Sequence, residues 1–140
     1  MGQSYAFFDC KASKEAIQAE LPALRRVART PESLELSLNE VGELGAVQVD
    51  EGLLRFIDQK GIYPTFPSNY RDQMKTAKPI KMRDLKYTIQ ANYPGANNEQ
   101  AAMELSQVMN GIYSEFGNNE PFNVAIVGQA DAGGEYSFWG

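Results

Sequence analysis

Cys10 is the one thiol in a chain that contains no histidine. Those two facts bound the chemistry its side chains can offer. Without imidazole there is no Ser-His-Asp or Cys-His arrangement and no imidazole metal site. Catalysis would fall to carboxylates, lysine, tyrosine or that thiol. Cys10 opens the stretch Cys10-Lys11-Ala12-Ser13, between an apolar aromatic run and the start of a helical pattern. Free backbone N–H groups at a helix start favour a thiolate, and Lys11 and Lys14 add positive charge. The plainer reading of Cys10 is a small hydrophobe closing a strand. A thiol-dependent enzyme using Cys10 is therefore the third of three functional expectations.

A second group of residues has the chemistry of recognition. Tyr63, Phe66, Tyr70 and Tyr87 are interleaved with Lys60, Arg71, Lys75, Lys78, Lys81 and Arg83, and Pro64 and Pro67 stiffen the segment. Rings that stack and cations that hold phosphate suit nucleic acid. The net charge of −5 has the wrong sign for that class of partner. A protein partner fits better, with Tyr63, Phe66, Tyr70, Arg71 and Lys75 as its docking residues and residues 62–70 as the apolar anchor.

Charge is unevenly spread around that segment. Residues 31–59 carry seven acids and one base, residues 60–86 seven bases and two acids, and residues 87–140 six acids and no base. Glu32, Glu35, Glu40, Glu43, Asp50, Glu51 and Asp58 can steer a basic partner. They can equally meet the basic segment of the same chain or of a second copy. Self-association through such patches should weaken as salt rises.

Two further sets complete the candidates. Tyr5, Phe7, Tyr87, Tyr93 and Tyr113 are expected to line a pocket between sheet and helices that takes an apolar or cationic organic ligand. Asp9, Asp131 and Glu135 offer oxygen ligands if they meet at one sheet edge. The spacing through residues 128–135 matches neither an EF-hand nor a phosphate-binding loop, so a hairpin loop is expected, with no metal and no cofactor. Tyr136, Phe138 and Trp139 either complete the core or form an interface strand.

The elements that must position these residues follow from periodicity. Residues 4–9 read as a buried strand. Ser13 caps a helix whose apolar residues run from Ala16 to Ala28, with Pro22 kinking or splitting it. Leu34, Leu36 and Leu38 alternate with Glu35 and Ser37 in a second strand. Asp50 caps a short helix that Gly61 is placed to end in a left-handed conformation. Ser68 can cap another short helical stretch. Leu85, Tyr87, Ile89, Ala91 and Tyr93 alternate in a half-exposed strand. Asn97 and Gln100 form a capping box for a four-turn helix reaching Phe116. Residues 122–128 form an apolar strand, and Tyr136 begins a last short one.

The order β-α-β, insertion, β-α-β-β predicts an α+β domain over residues 1–140. Two β-α-β units on one mixed or antiparallel sheet make a ferredoxin-like split β-α-β arrangement, with helices on one face and residues 41–84 as a helical and loop insertion. A three-layer α/β arrangement is the alternative. Apolar residues at 43% and charged residues at 22% fit a globular domain. No run of eighteen apolar residues suits a membrane span. The start at Met1 lacks a basic, apolar leader pattern, and Ala6 breaks the myristoylation motif. The cytoplasm is the expected compartment. Taken together, the residues predict a non-catalytic protein-interaction or binding module that docks a protein partner or a second copy. A small-molecule binding protein is the runner-up.

Overall fold

The structure, a computed structural model, describes residues 2–62, 78–117 and 122–139. Five strands form one antiparallel sheet. They are β1 (Gly2–Phe8), β2 (Glu35–Glu40), β5 (Tyr87–Tyr93), β6 (Val124–Gln129) and β7 (Tyr136–Phe138), in the spatial order β2-β5-β1-β6-β7. A separate two-residue ladder joins β3 (Gly61–Ile62) to β4 (Ile80–Lys81). The helices are α1 (Lys14–Leu24), α2 (Glu51–Gln59) and α3 (Asn98–Phe116). The chain is thus α+β.

Alternation in β1 explains the layering. Ala6 and Phe8 face one way and Tyr5 and Phe7 the other, and all four are buried. A central strand buried on both sides needs a cover on each face. On one side α1 and α3 supply Ile17, Leu21, Leu105, Val108 and Ile112 against Phe8, Ile89 and Leu38. On the other side the insertion supplies Val41, Leu44, Leu53, Ile57 and Met82 against Tyr5, Phe7 and Val127. Burying each such side chain contributes about 1.5–3 kcal/mol. Helices therefore lie on both faces, where the sequence predicted one. The insertion is the third layer, over a sheet that is antiparallel.

Local signals set the element ends. Ser13 Oγ accepts the Ala16 N–H at 3.2 Å, and Asp50 Oδ1 accepts the Gly52 N–H at 2.6 Å. Asn97 and Gln100 form the reciprocal capping box on α3. Pro22 does not split α1, which runs through it to Leu24 before tightening into a 3-10 turn at Arg25–Val27. Gly61 does not end α2 in a left-handed conformation. Lys60 caps the helix in extended backbone, and Gly61 enters β3. There a Cβ would lie 3.1 Å from both the Ile80 carbonyl oxygen and Pro79 Cβ, so the glycine serves close approach. Ser68 lies outside the described residues. No helix among the described residues is long and apolar enough to cross a membrane.

Candidate functional site

β7 forms one rim of the sheet, and its backbone pattern decides what it can do. Phe138 is opposite Val127, Ser137 opposite Gly128 and Tyr136 opposite Gln129. The Trp139 N–H donates to the Ile126 carbonyl oxygen at 2.8 Å. Trp139 and Ser137 therefore spend their backbone groups inward on β6. By the alternation of antiparallel ladders, the N–H and C=O groups of Tyr136 and Phe138 point outward. Among the described residues no strand pairs with that outer edge.

The side chains of Tyr136 and Phe138 share the face covered by α2. Phe56 of α2 lies 5.2 Å from the Phe138 ring and 6.5 Å from the Tyr136 ring, centroid to centroid. Tyr136 meets Tyr5 edge-on at 6.3 Å. Phe138 remains 43% exposed, a large apolar side chain beside an open strand edge. The glycines shape this corner. Gly133 and Gly134 take φ of 88° and 111° to turn the chain into β7, and Gln129 Nε2 donates to the Gly134 carbonyl oxygen at 2.7 Å.

Between α2 and β7 runs a cleft of about 740 Å³. Phe56 and Tyr136 give it aromatic walls, and Arg55 and Lys60 line it with the three acids Asp50, Glu51 and Glu135. Asp50 has its Oδ1 committed to the α2 N-cap. Burial, then the Tyr5 phenol, then the Asp50 carboxylate push the Tyr136 phenol well above its ordinary value. Burial and then Asp50 raise the Tyr5 phenol too. Both phenols stay neutral at physiological pH and act as hydroxyls rather than bases. A second cleft of about 550 Å³ lies between Arg29, Thr30 and the Tyr93–Ala96 turn on one side and Met103 and Gln107 of α3 on the other.

The residues singled out from sequence fall as follows. Tyr63, Phe66, Tyr70, Arg71 and Lys75 lie outside the described residues. Tyr87 does not join them on an outward patch. It is 1% exposed in the α1–α3 core and donates its hydroxyl to the Ala12 carbonyl oxygen at 2.8 Å. The five-ring pocket is not assembled. Tyr5 and Phe7 lie on the insertion face, while Tyr87 and Tyr93 lie on the helix face. The register pairs Phe7 with Thr88, so Tyr87 must point the opposite way. Tyr113 sits at the far end of α3 with its ring 5.0 Å from that of Phe122.

Cys10 is half-buried against the helix-side core, and Ser13 of the same stretch is engaged as the α1 cap. Asp9 and Asp131 do not converge. Asp9 accepts the Lys86 N–H just beyond one end of β1, whereas Asp131 accepts the Asn98 N–H beside the other end, at Gln3. No cluster of metal-ligand type occurs among the described residues. Among the described residues the acidic and basic segments meet where Arg83 pairs with Asp58 at 3.3 Å. Comparison with protein-family models, with curated proteins and with solved structures found no match.

Sequence reasoning marked Tyr136, Phe138 and Trp139 but missed Phe56, Arg55 and Lys60 as their neighbours. The apolar stripe read from the sequence, Leu53, Leu54 and Ile57, left out Phe56, which is buried beside Leu53 and Ile57.

Proposed function

We propose that the chain is a non-catalytic protein-interaction module that docks an extended polypeptide along β7. The observation that carries this reading is the outward-facing backbone of Tyr136 and Phe138 beside the α2 cleft. An added strand would take its hydrogen bonds from that edge, as in strand-addition recognition. Residues placed opposite Tyr136 and Phe138 share their face. Their side chains would therefore enter the cleft between Phe56, Arg55, Lys60 and Glu135. The acidic surface steers a basic partner toward the chain, and Tyr63, Phe66, Tyr70, Arg71 and Lys75 supply further contacts. The cytoplasm is the compartment this reading assumes.

The test is a peptide selected from a random displayed library on the immobilised protein, then titrated against labelled protein by NMR. Amide shifts concentrated at Tyr136, Phe138 and the exposed side of α2 support the proposal. Saturable shifts confined to other surfaces, or a library that yields no binder, overturn it.

The volume of the cleft favours a second reading, a small-molecule site, because such sites span about 300–1,000 Å³. A thermal-shift screen separates the two, since a small ligand that prefers the folded state raises the midpoint on its own. At the level of fold, the interleaved order β2-β5-β1-β6 supports a ferredoxin-like split β-α-β arrangement with β7 added at one rim.

A further inference from the structure

We infer that the polypeptide β7 accepts is β7 of a second copy of this chain, related by a two-fold axis through Ser137. The inference rests on the strand-docking reading and names its partner. Three observations carry it.

The first is register. An antiparallel pair centred on Ser137 places Tyr136 opposite Phe138 of the copy, and Phe138 opposite its Tyr136. Those are the residues whose backbone groups point outward, so the pairing closes four N–H···O=C bonds. Centring on either neighbour would leave only one residue of each strand with a partner across the axis. The two sheets would then run on as one.

The second is the side chains. Opposed residues of an antiparallel pair share a face. The exposed ring of Phe138 would therefore lie beside Tyr136 of the copy, on the side where Phe56 and the cleft are found. A two-fold interface must be self-complementary, and here each copy supplies both the ring and the place that receives it.

The third is charge. Copies of a chain with net charge −5 repel. The β2 rim is less suited to meeting itself, because Glu35 and Glu40 lie within it and Glu32 in the turn just before it, a usual device against edge pairing. At the β7 rim, Arg55 and Lys60 offset two of the three acids Asp50, Glu51 and Glu135, so the local surface meets its copy with less like-charge repulsion than the β2 rim. Raising salt screens the repulsion between whole chains and leaves the backbone bonds intact. Dimerisation through β7 therefore tightens with salt, whereas association of acidic patches with basic ones weakens.

Sedimentation velocity on the full chain, from micromolar to near-millimolar concentration at low and high salt, tests this. A monomer–dimer equilibrium that tightens with salt is expected. Phe138→Pro removes an outward donor that β6 does not use, hence two of the four bonds in the symmetric pair, and should weaken the dimer about tenfold or more. Phe138→Lys keeps the backbone donor but removes the ring and adds like charge on both sides of the axis. It should also weaken the dimer, and it keeps the inference testable if the proline variant unfolds. In the unmodified dimer, the Tyr136 and Phe138 amides should exchange hydrogen more slowly as concentration rises. A chain that stays monomeric throughout overturns the inference, as does a dimer unaffected by both variants or one in which those two amides exchange at the same rate. Selected peptides that still shift Tyr136 and Phe138 in a strictly monomeric protein would leave the docking reading standing and remove only the self-partner.

Discussion

The Tyr93 hydroxyl accepts the Thr30 N–H at 3.0 Å and lies 2.7 Å from Thr30 Oγ1. One phenol at the end of β5 thereby fixes the connection between α1 and β2, 63 residues away in sequence. Tyr93 is 5% exposed, so its ring is core while its oxygen serves the loop. Tyr93→Phe keeps the packing and leaves a part-buried N–H without that acceptor. The expected loss is about 1–3 kcal/mol, read as a lower urea midpoint with an unchanged slope. An unchanged midpoint would mean that the loop is held by its other contacts.

Gly2 lets β1 pass close against the start of α3. A Cβ there would fall on the Asn97 carbonyl oxygen at the start of α3, closer than any real Cβ contact. Backbone cannot swing aside as a side-chain end can. Gly2→Ala should cost about 1–3 kcal/mol by forcing β1 and the α3 cap apart. Gly45→Ala, at a glycine with open space around it, should stay within about 0.5 kcal/mol. Melting both variants side by side checks the contrast.

Much of this fold was written in local patterns. The α3 helix is legible because a capping box precedes an apolar stripe sustained over 19 residues. The β2 face is legible because Leu34, Leu36 and Leu38 alternate with polar residues. Nothing in the same patterns says that Tyr5 and Tyr87 point to opposite sides. That depends on the register between β1 and β5, and one residue of slip reverses it. The rim site was legible only in part. Tyr136, Phe138 and Trp139 allowed either a completed core or an interface strand. Their partner Phe56 arrives from an insertion 80 residues earlier, and pairing at that distance leaves no local trace.

The insertion is a core layer, and its removal side chain by side chain should show it. Leu53 and Ile57 are fully buried over Phe7 and Val127. Leu53→Ala should cost about 2–5 kcal/mol, the range of a core truncation. Leu105→Ala, on the opposite face, should cost a similar amount. If the insertion were a loose appendage, Leu53→Ala would leave the global transition in place while Leu105→Ala lowered it. Chemical denaturation followed by a probe on each face decides between these outcomes. A single transition that both variants shift is the expected result.

The raised phenols of Tyr5 and Tyr136 give stability a defined dependence on alkaline pH. Each holds its proton more firmly in the folded chain than at the ordinary value of 10.0. The unfolded chain therefore ionises first as pH rises, and the folded state binds more protons than the unfolded one. Stability from these groups is fully present below about pH 10 and falls as pH climbs toward the folded values. Tyr136→Phe removes the larger contribution, so the midpoint of that variant should decline less steeply above about pH 10. The phenolate absorbance of the Tyr5 and Tyr136 pair beneath α2 should rise only as the protein unfolds. A Tyr136→Phe variant with the same alkaline slope as the unmodified chain would place the sensitivity elsewhere. The same variant keeps the outward N–H and C=O of residue 136, so dimerisation through β7 should persist while the alkaline response diminishes.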